Sequence, residues 1–240
     1  MGVKKKSIEI KSVETAKPEA PSFKLVRIPE GLFRDIYGDP TKLVSRMSWV
    51  NAQVVHVLKK VEEEFKGEIV ISDFYRKPTE SYIARKKKGS MVAPCGLSGH
   101  NYGLSVDVAV DTTLKRLSLS YSQMVAAFKK LGLNGIKKES WHFNLMFIEA
   151  SDYFYGLYNQ FSDNFKKHVC SHLVSEFSAH VQPVKNVKEI QTILGLTVDG
   201  IPGRQTVMSV SMLLAEKKGL LPVDDVKLKK ITVNFSDIWM

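Results

Sequence analysis

The chain has 240 residues, of which 44% are hydrophobic and 25% are charged, and its formal net charge is +10. A chain of this length can bury one large core, or a medium domain and a small one, and we expect the second arrangement. Its longest apolar runs fall far below the roughly 18 residues of a membrane span, which excludes a membrane-spanning helix. The positive charge favours polyanionic partners without choosing among them, and the sequence contains no recognised nucleic-acid-binding motif.

The first 27 residues are predicted to form a disordered basic arm, because residues 1–21 mix Lys, Glu, Ser and Pro with few apolar side chains to bury. Their lysines are not followed by the apolar core of a secretory signal. We therefore expect a protein that is made in the cytoplasm. Cys95 and Cys170 are the only cysteines, and in such a chain they are predicted to be free thiols.

The next stretch predicts a helix and a short strand. Residues 39–41 (Asp-Pro-Thr) supply an N-cap and a first-turn proline, and apolar residues recur at helical spacing over residues 43–65. A strand over residues 68–72 then delivers Arg76 to its end. Residues 77–97 contain two prolines, a basic run and two glycines, and they are predicted to be a long loop beside the site.

Two predicted strands carry side chains that could bind a metal. Over residues 104–110 apolar and polar residues alternate, so that Asp107 points away from the apolar layer, and His100 precedes it across a glycine. The alternation recurs from Trp141, which is predicted to lie on the apolar face while His142 lies on the other. Two histidines and one aspartate would give a metal three protein ligands and leave one position for water, as in catalytic zinc sites.

Glu139 is a second carboxylate close to these residues in the sequence. It lies three positions before His142, so in a regular strand the two side chains would face opposite sides. We therefore predict a turn before Trp141 that brings Glu139 to the same side.

Helices are predicted on both sides of this second strand. A capping box at residues 120–123 begins a helix, and residues 134–135 (Asn-Gly) are predicted to turn the chain. Residues 152–177 carry an aromatic stripe at helical spacing, which is typical of a helix that faces the core. His168 and His172 lie one turn apart on it, a spacing that could bind zinc, but the glutamate of a metalloprotease motif is missing, and we do not expect a metal site there.

The last part of the chain is predicted to be a separate small domain. Residues 179–186 are interpreted as a linker, and residues 187–240 as an all-α domain with a turn at Asp199-Gly200 and a helix over residues 205–218. Nothing in this part resembles a catalytic motif.

The two candidate metal-binding stretches resemble a known enzyme family. Ser-x-His-x-x-Gly-x-x-x-Asp, from Ser98 to Asp107, is followed by Glu-x-Trp-His, from Glu139 to His142. Both are similar to motifs of the zinc D-alanyl-D-alanine carboxypeptidases and L-alanyl-D-glutamate endopeptidases. That family includes many phage endolysins and is related in fold to the Hedgehog signalling domain. The resemblance implies an α+β domain over residues 28–178, with a small antiparallel sheet and flanking helices.

The resemblance also implies a cofactor and a base. One Zn²⁺ would be bound by His100, Asp107 and His142, and Glu139 would be the general base. Ser105 stands where the family usually has alanine.

A third segment extends the resemblance to substrate binding. Residues 72–76 (Ser-Asp-Phe-Tyr-Arg) resemble the family's Ser-Gly-Tyr-Arg segment, although Asp73-Phe74 lengthens it here. The arginine of that segment binds and polarises the substrate, so Arg76 would be both a catalytic and a substrate-binding residue. Ser98 and Trp141 are further candidates for substrate binding.

The C-terminal part resembles a wall-binding module. Its Leu-Gly…Asp-Gly-x-x-Gly-x-x-Thr pattern over residues 194–206 is similar to that of the small three-helix peptidoglycan-binding module attached to wall hydrolases. The pattern departs at residues 212–214 (Met-Leu-Leu), where the module has Phe-Gln.

These resemblances predict a monomeric peptidoglycan hydrolase of bacteriophage endolysin type, a zinc metallopeptidase that degrades the cell wall during host lysis. The favoured reaction is L-alanyl-D-glutamate endopeptidase cleavage of stem peptides, and the alternatives are a D-alanyl-D-alanine carboxypeptidase or a non-catalytic wall-binding protein. The motifs are shared among these activities. Peptidoglycan would be the partner, with no nucleic acid and no membrane insertion. The protein would act in the wall or periplasm after release from the cytoplasm.

Overall fold

The computed structural model describes residues 22–28, 34–35, 49–145, 158–159, 161, 163–222 and 230–239. Within these ranges the chain is an α+β protein with two small sheets and eight α-helices. The strands are β1 (Ser22–Arg27), β2 (Arg34–Asp35), β3 (Trp49–Asn51), β4 (Val70–Asp73), β5 (Ser105–Val108), β6 (Leu133–Ile136), β7 (Glu139–Leu145) and β8 (Lys230–Asn234). The helices are α1 (Val55–Glu64), α2 (Pro78–Lys88), α3 (Val110–Leu117), α4 (Tyr121–Lys130), α5 (Asp163–His180), α6 (Val187–Leu194), α7 (Arg204–Lys217) and α8 (Ser236–Trp239). No helix in the described ranges has the length and apolar character needed to cross a membrane.

The larger sheet has five strands in the order β2-β4-β5-β7-β6, and its pairs are antiparallel except for β2 with β4. Its central strand, β5, is buried along its whole length. Asp107 on β5 is directly opposite Asp73 on β4 and His142 on β7. Three polar residues that are far apart in the sequence therefore form one row across adjacent strands.

Aromatic residues anchor the opposite side of this sheet. Phe143 of β7 packs edge-on against Phe128 of α4, with ring centroids 4.7 Å apart. Phe128 in turn contacts Phe65, just after α1, at 5.2 Å. Full burial of one such side chain contributes about 1.5–3 kcal/mol, so this contact chain fixes β7 against two helices.

The smaller sheet joins the first and last described strands. Its order is β3-β1-β8, and all its pairs are antiparallel. The prediction of a disordered arm is wrong for residues 22–27, because Phe23 and Leu25 alternate with exposed residues and are buried against β3 and β8. The prediction of an all-α C-terminal part is likewise wrong for residues 230–234. Residues 1–21 lie outside the described ranges.

Helix α7 is enclosed on all sides, since every residue from Thr206 to Ala215 is buried. It contacts residues of the predicted peptidase domain directly. Glu216 accepts a hydrogen bond from the backbone N–H of Thr79 at 2.8 Å, and the Cys95 thiol lies 3.8 Å from the carbonyl of Ser209. The predicted domain division at residues 179–186 stays a prediction, but buried contacts cross it.

Several local predictions need correction. Residues 49–51 form β3, so α1 begins only at Val55, and residues 36–48 lie outside the described ranges. The predicted loop over residues 77–97 contains α2, which begins with Pro78 and has a capping box. Its basic run is the last turn of this helix. Positive side chains are stabilised there by the negative end of the helix dipole.

Other predictions are confirmed or shifted. The capping box at residues 120–123 is present, with the Ser120 backbone N–H donating to Gln123 Oε1 at 2.9 Å. Residues 134–135 lie within β6 and do not form a turn. Of the helix predicted over residues 152–177, the structure describes helical residues 158–159 and the segment from Asp163, which extends to His180. His172 on this helix contacts the rings of Phe165 and Trp239.

Candidate metal centre

His100 lies on a 3₁₀ turn, Gly99–Tyr102, directly before β5. Ser98 caps this turn by accepting a hydrogen bond from the His100 backbone N–H at 3.4 Å. Gly103 ends the turn with φ +65°, and a Cβ there would lie 2.6 Å from the backbone nitrogen of Asn51. Only glycine fits this position, which sets the direction in which the chain enters β5.

The side chain of His100 is oriented by a backbone group. Its Nδ1–H donates to the carbonyl oxygen of Phe74 at 2.6 Å. A neutral imidazole carries one proton, so in the neutral form of His100 this bond places the lone pair on Nε2, the nitrogen that faces the site.

Three candidate ligand atoms converge at this point. Nε2 of His100 lies 3.2 Å from Oδ1 of Asp107 and 3.2 Å from Nδ1 of His142, and the last two atoms are 2.9 Å apart. All three atoms lie within 4.8 Å of one another, and all three residues are buried. In the described part of the chain this is the one group of His, Cys, Asp and Glu side chains that could hold a metal ion.

The electrostatics of the triad suit a cation. Burial alone would raise the pKa of Asp107, but hydrogen bonds from His100 and His142 outweigh it, and the pKa lies well below its usual range. Burial acts to lower the pKa of His142, but its hydrogen bond with Asp107 outweighs this effect and leaves the pKa raised. Without a cation, ring protons on the nitrogens that face Asp107 serve as the donors. A metal ion would take the place of these protons, so its binding would release them.

Glu139 reaches the site because the ladder between β6 and β7 is irregular. Gly135 is opposite Phe143, but the next residue, Ile136, is opposite Glu139. The extra residues of β7 form a bulge that breaks the alternation of side chains, and Oε2 of Glu139 lies 3.9 Å from Nδ1 of His142. The predicted turn before Trp141 lies at residues 137–138, directly ahead of Glu139.

Arg76 also lies beside the triad. Its Nη2 is 3.5 Å from Oδ2 of Asp107, and its Nε and Nη2 donate to Oδ2 of Asp73 at 2.9 and 2.5 Å. Its backbone is held from both sides, because its N–H donates to the His100 carbonyl and its own carbonyl accepts from Asn101 Nδ2 at 2.7 Å.

Sequence reasoning missed Asp73 and Asn101. Asp73 belongs to the longer form of the arginine segment, and that added acidic residue was the available signal for a partner of Arg76. Asn101 follows a candidate ligand directly, but its partners come from distant parts of the chain and leave no local pattern.

The two remaining candidates differ in position. Ser98 is buried and its hydroxyl caps the turn that carries His100. Trp141 is 47% exposed, so its predicted place on the apolar core face is wrong. The bulge in β7 accounts for this difference. Substrate contact stays a prediction for both residues.

The two cysteines, Cys95 and Cys170, are free thiols, as predicted.

No known family model matches this chain. A comparison with curated proteins gave no match either. A functional proposal therefore depends on the geometry of the triad and on the resemblance of its motifs.

Proposed function

We propose that the protein is a zinc-dependent peptidoglycan hydrolase that cleaves an amide bond of the wall stem peptide. The observation that carries this proposal is the convergence of His100 Nε2, Asp107 Oδ1 and His142 Nδ1, beside Glu139. Two imidazoles and one carboxylate are a donor set that zinc favours, and three protein ligands leave a position for water or substrate. A structural zinc site would be closed by a fourth protein ligand.

Zinc, when bound, acts as a Lewis acid that polarises the scissile carbonyl and makes water reactive near neutral pH. Glu139 would accept the proton of the attacking water and pass it to the leaving amine. Its carboxylate is suited to this role because it lies at the edge of the triad, 3.9 Å from His142 Nδ1, with a side chain that is 35% exposed.

Arg76 would hold a carboxylate of the substrate or stabilise the developing oxyanion. The hydrogen bonds to Asp73 fix one edge of its guanidinium group, so the group is oriented before substrate arrives. Wall stem peptides carry free carboxylates, which suit this cation and a chain with a formal net charge of +10.

The favoured bond is that between L-alanine and D-glutamate, and the alternative activity is D-alanyl-D-alanine carboxypeptidase. The Hedgehog-related fold is part of the same proposal, supported by the motif resemblance and by the mixed five-stranded sheet. Residues 187–240 are proposed to bind the wall, supported by the pattern at residues 194–206 alone.

The test is digestion of purified peptidoglycan by the full-length protein, with and without a chelator, followed by mass spectrometry of the new termini. We expect chelator-sensitive release of peptides with N-terminal D-glutamate. Release of free D-alanine would identify the carboxypeptidase instead. If zinc is bound and wall pull-down is intact but no bond is cut, the protein is a wall-binding protein and the proposed hydrolase activity is wrong.

A further inference from the structure

A second set of hydrogen bonds lies behind His142, on the side away from Asp107. Nε2 of His142 lies 3.1 Å from Oδ1 of Asn144. The hydroxyl of Ser105 donates to the same oxygen at 2.7 Å. Ser105 is completely buried, so its hydroxyl depends on this partner for a hydrogen bond within the protein.

This arrangement follows from the register of the central strands. Ser105 on β5 is directly opposite Asn144 on β7, and Asp107 is directly opposite His142. Residues two positions apart on a strand face the same side of the sheet. The pair behind the site and the pair within it are therefore consecutive same-face pairs of one ladder.

The Ser105 hydroxyl also depends on a neighbouring glycine. A Cβ at Gly99 would lie 2.0 Å from Oγ of Ser105. Gly99 directly precedes His100, so the turn that carries one candidate ligand leaves the space for the hydroxyl that supports the other.

The Asn144 oxygen determines which nitrogen of His142 faces the triad. It accepts from Nε2–H, so in the neutral ring, the form that can bind a metal, the lone pair lies on Nδ1, the nitrogen that faces Asp107 and His100. The hydroxyl of Ser105 is a second donor to this oxygen. It stabilises the orientation of the Asn144 amide in which the oxygen, and not the nitrogen, faces the His142 ring. His100 obtains the same support from the Phe74 carbonyl, a backbone group that substitution of a side chain does not remove.

We infer that Asn144, held by Ser105, is a positioning residue that presents Nδ1 of His142 to the metal. This inference rests on the proposed metal-dependent function and deepens it, since it assigns two residues outside the ligand set a part in metal affinity. Partners of metal-bound histidines usually contribute 10–100-fold to affinity.

The experiment measures the affinity of the full-length protein for Zn²⁺ and Co²⁺ by competition with a chromophoric chelator. We expect Asn144→Leu to weaken binding by roughly 10–100-fold, and Ser105→Ala to weaken it by less. Asn144→Asp keeps an acceptor oxygen and should restore most of the affinity. Asn134→Ala is the matched control, because Asn134 is exposed and lies opposite Asn144 on β6.

Two further readouts separate positioning from folding. The ¹⁵N shifts of the His142 ring in the zinc-loaded protein report which nitrogen binds the metal and which carries the proton, and we expect Nε2–H in the wild type and a mixture of the two ring forms in Asn144→Leu. The absorption spectrum of the Co²⁺-loaded protein should change in the same variant. Ser105→Ala removes a single oxygen atom, so it tests the inference even if Asn144→Leu does not fold.

The outcomes distinguish the two proposals. If the wild-type protein binds neither metal, the proposed function and this inference are both wrong. If the wild type binds metal and both Ser105→Ala and Asn144→Leu bind it equally well with an unchanged tautomer, only the inference is overturned.

Discussion

The polar cluster of His100, Asn101, Asp107 and His142 and the enclosed helix α7 are both buried, but they are held in different ways. In the polar cluster, His100 and Asn101 each have hydrogen-bond partners with fixed donor and acceptor roles. In α7, Val210 and Leu214 are completely buried among apolar neighbours, and dispersion and the hydrophobic effect have no direction. The helix should therefore tolerate changes of shape that conserve volume, whereas the polar cluster should tolerate few changes of donor or acceptor.

The largest effect is expected from Asp107→Ala, which removes the only carboxylate of the triad. Zinc content should fall to background, a loss greater than the roughly 100-fold that an outer partner contributes, and hydrolysis should be lost with it. Metal analysis of the purified variant, together with circular dichroism to check folding, measures this. Retention of one zinc per chain would show that the triad is not the metal site.

Glu139→Gln should separate chemistry from metal binding. The amide cannot accept the proton, so we expect a rate loss of roughly 10²–10⁴ with the zinc content unchanged. Rates on purified peptidoglycan and metal analysis of the same sample measure both quantities. Glu64→Gln, at an exposed glutamate of α1, is the matched control. An active Glu139→Gln variant would remove Glu139 from the role of base.

Leu214→Ala tests the apolar packing of helix α7. Deleting a fully buried leucine side chain should lower the free energy of unfolding by about 2–5 kcal/mol, whereas Leu214→Met should cost less than about 1.5 kcal/mol. Denaturant unfolding measures both variants. The zinc affinity of the folded Leu214→Met protein should equal that of the wild type, and a loss of affinity there would contradict the separation of the two regions.

Asn101→Ala tests the hydrogen bonds of the polar cluster. Asn101 donates to the Arg76 carbonyl and to Ser81 Oγ, and it accepts from the Gly96 N–H at 2.9 Å. Each buried group left without a partner costs about 1–3 kcal/mol. We also expect a higher KM, because the backbone of Arg76 loses one of its two supports. Unfolding and steady-state kinetics of the variant measure the two effects, and an unchanged KM would show that Asn101 supports the fold alone.

The smallest effect concerns the thiols. Burial raises the pKa of Cys95 to about 12, and a group with a raised pKa stays protonated until the pH approaches that value, so the reactive thiolate is scarce at mildly alkaline pH. Iodoacetamide should therefore modify the exposed Cys170 and leave Cys95 unmodified until the protein unfolds. Peptide mass mapping distinguishes the two thiols. Rapid modification of Cys95 in the native protein would mean that α7 opens locally.

The triad could be predicted because its signal is local. His100 and Asp107 lie on one short stretch, and the alternation on the two strands showed the face of Asp107 and His142 before any contact was known. Glu139 was placed at the site by the resemblance of its motif, although regular strand spacing would have directed its side chain to the opposite face, so an irregularity before Trp141 had to be predicted. The irregularity is a bulge between β6 and β7, which depends on pairing with another strand.

Pairing and packing between distant parts of the chain could not be predicted. The prolines and basic run of residues 77–97 indicate a loop by composition, but α2 forms there and its first turn is held by Glu216 of the distant C-terminal part. Helix α7 carries two serines that suggest a partly exposed face. Ser211 is buried nonetheless, because its hydroxyl donates to the Val207 carbonyl at 2.7 Å.

The pairing of β1 with β8 bears on how this protein can be dissected. Phe23 and Leu25 are buried in a sheet whose third strand comes from residues 230–234. A fragment that ends at residue 178 would leave an edge of β1 unpaired and would uncover the surface beneath α7. Such a fragment should aggregate, and exchange of the C-terminal part for another binding module should fail. The whole described chain should then melt in one cooperative transition.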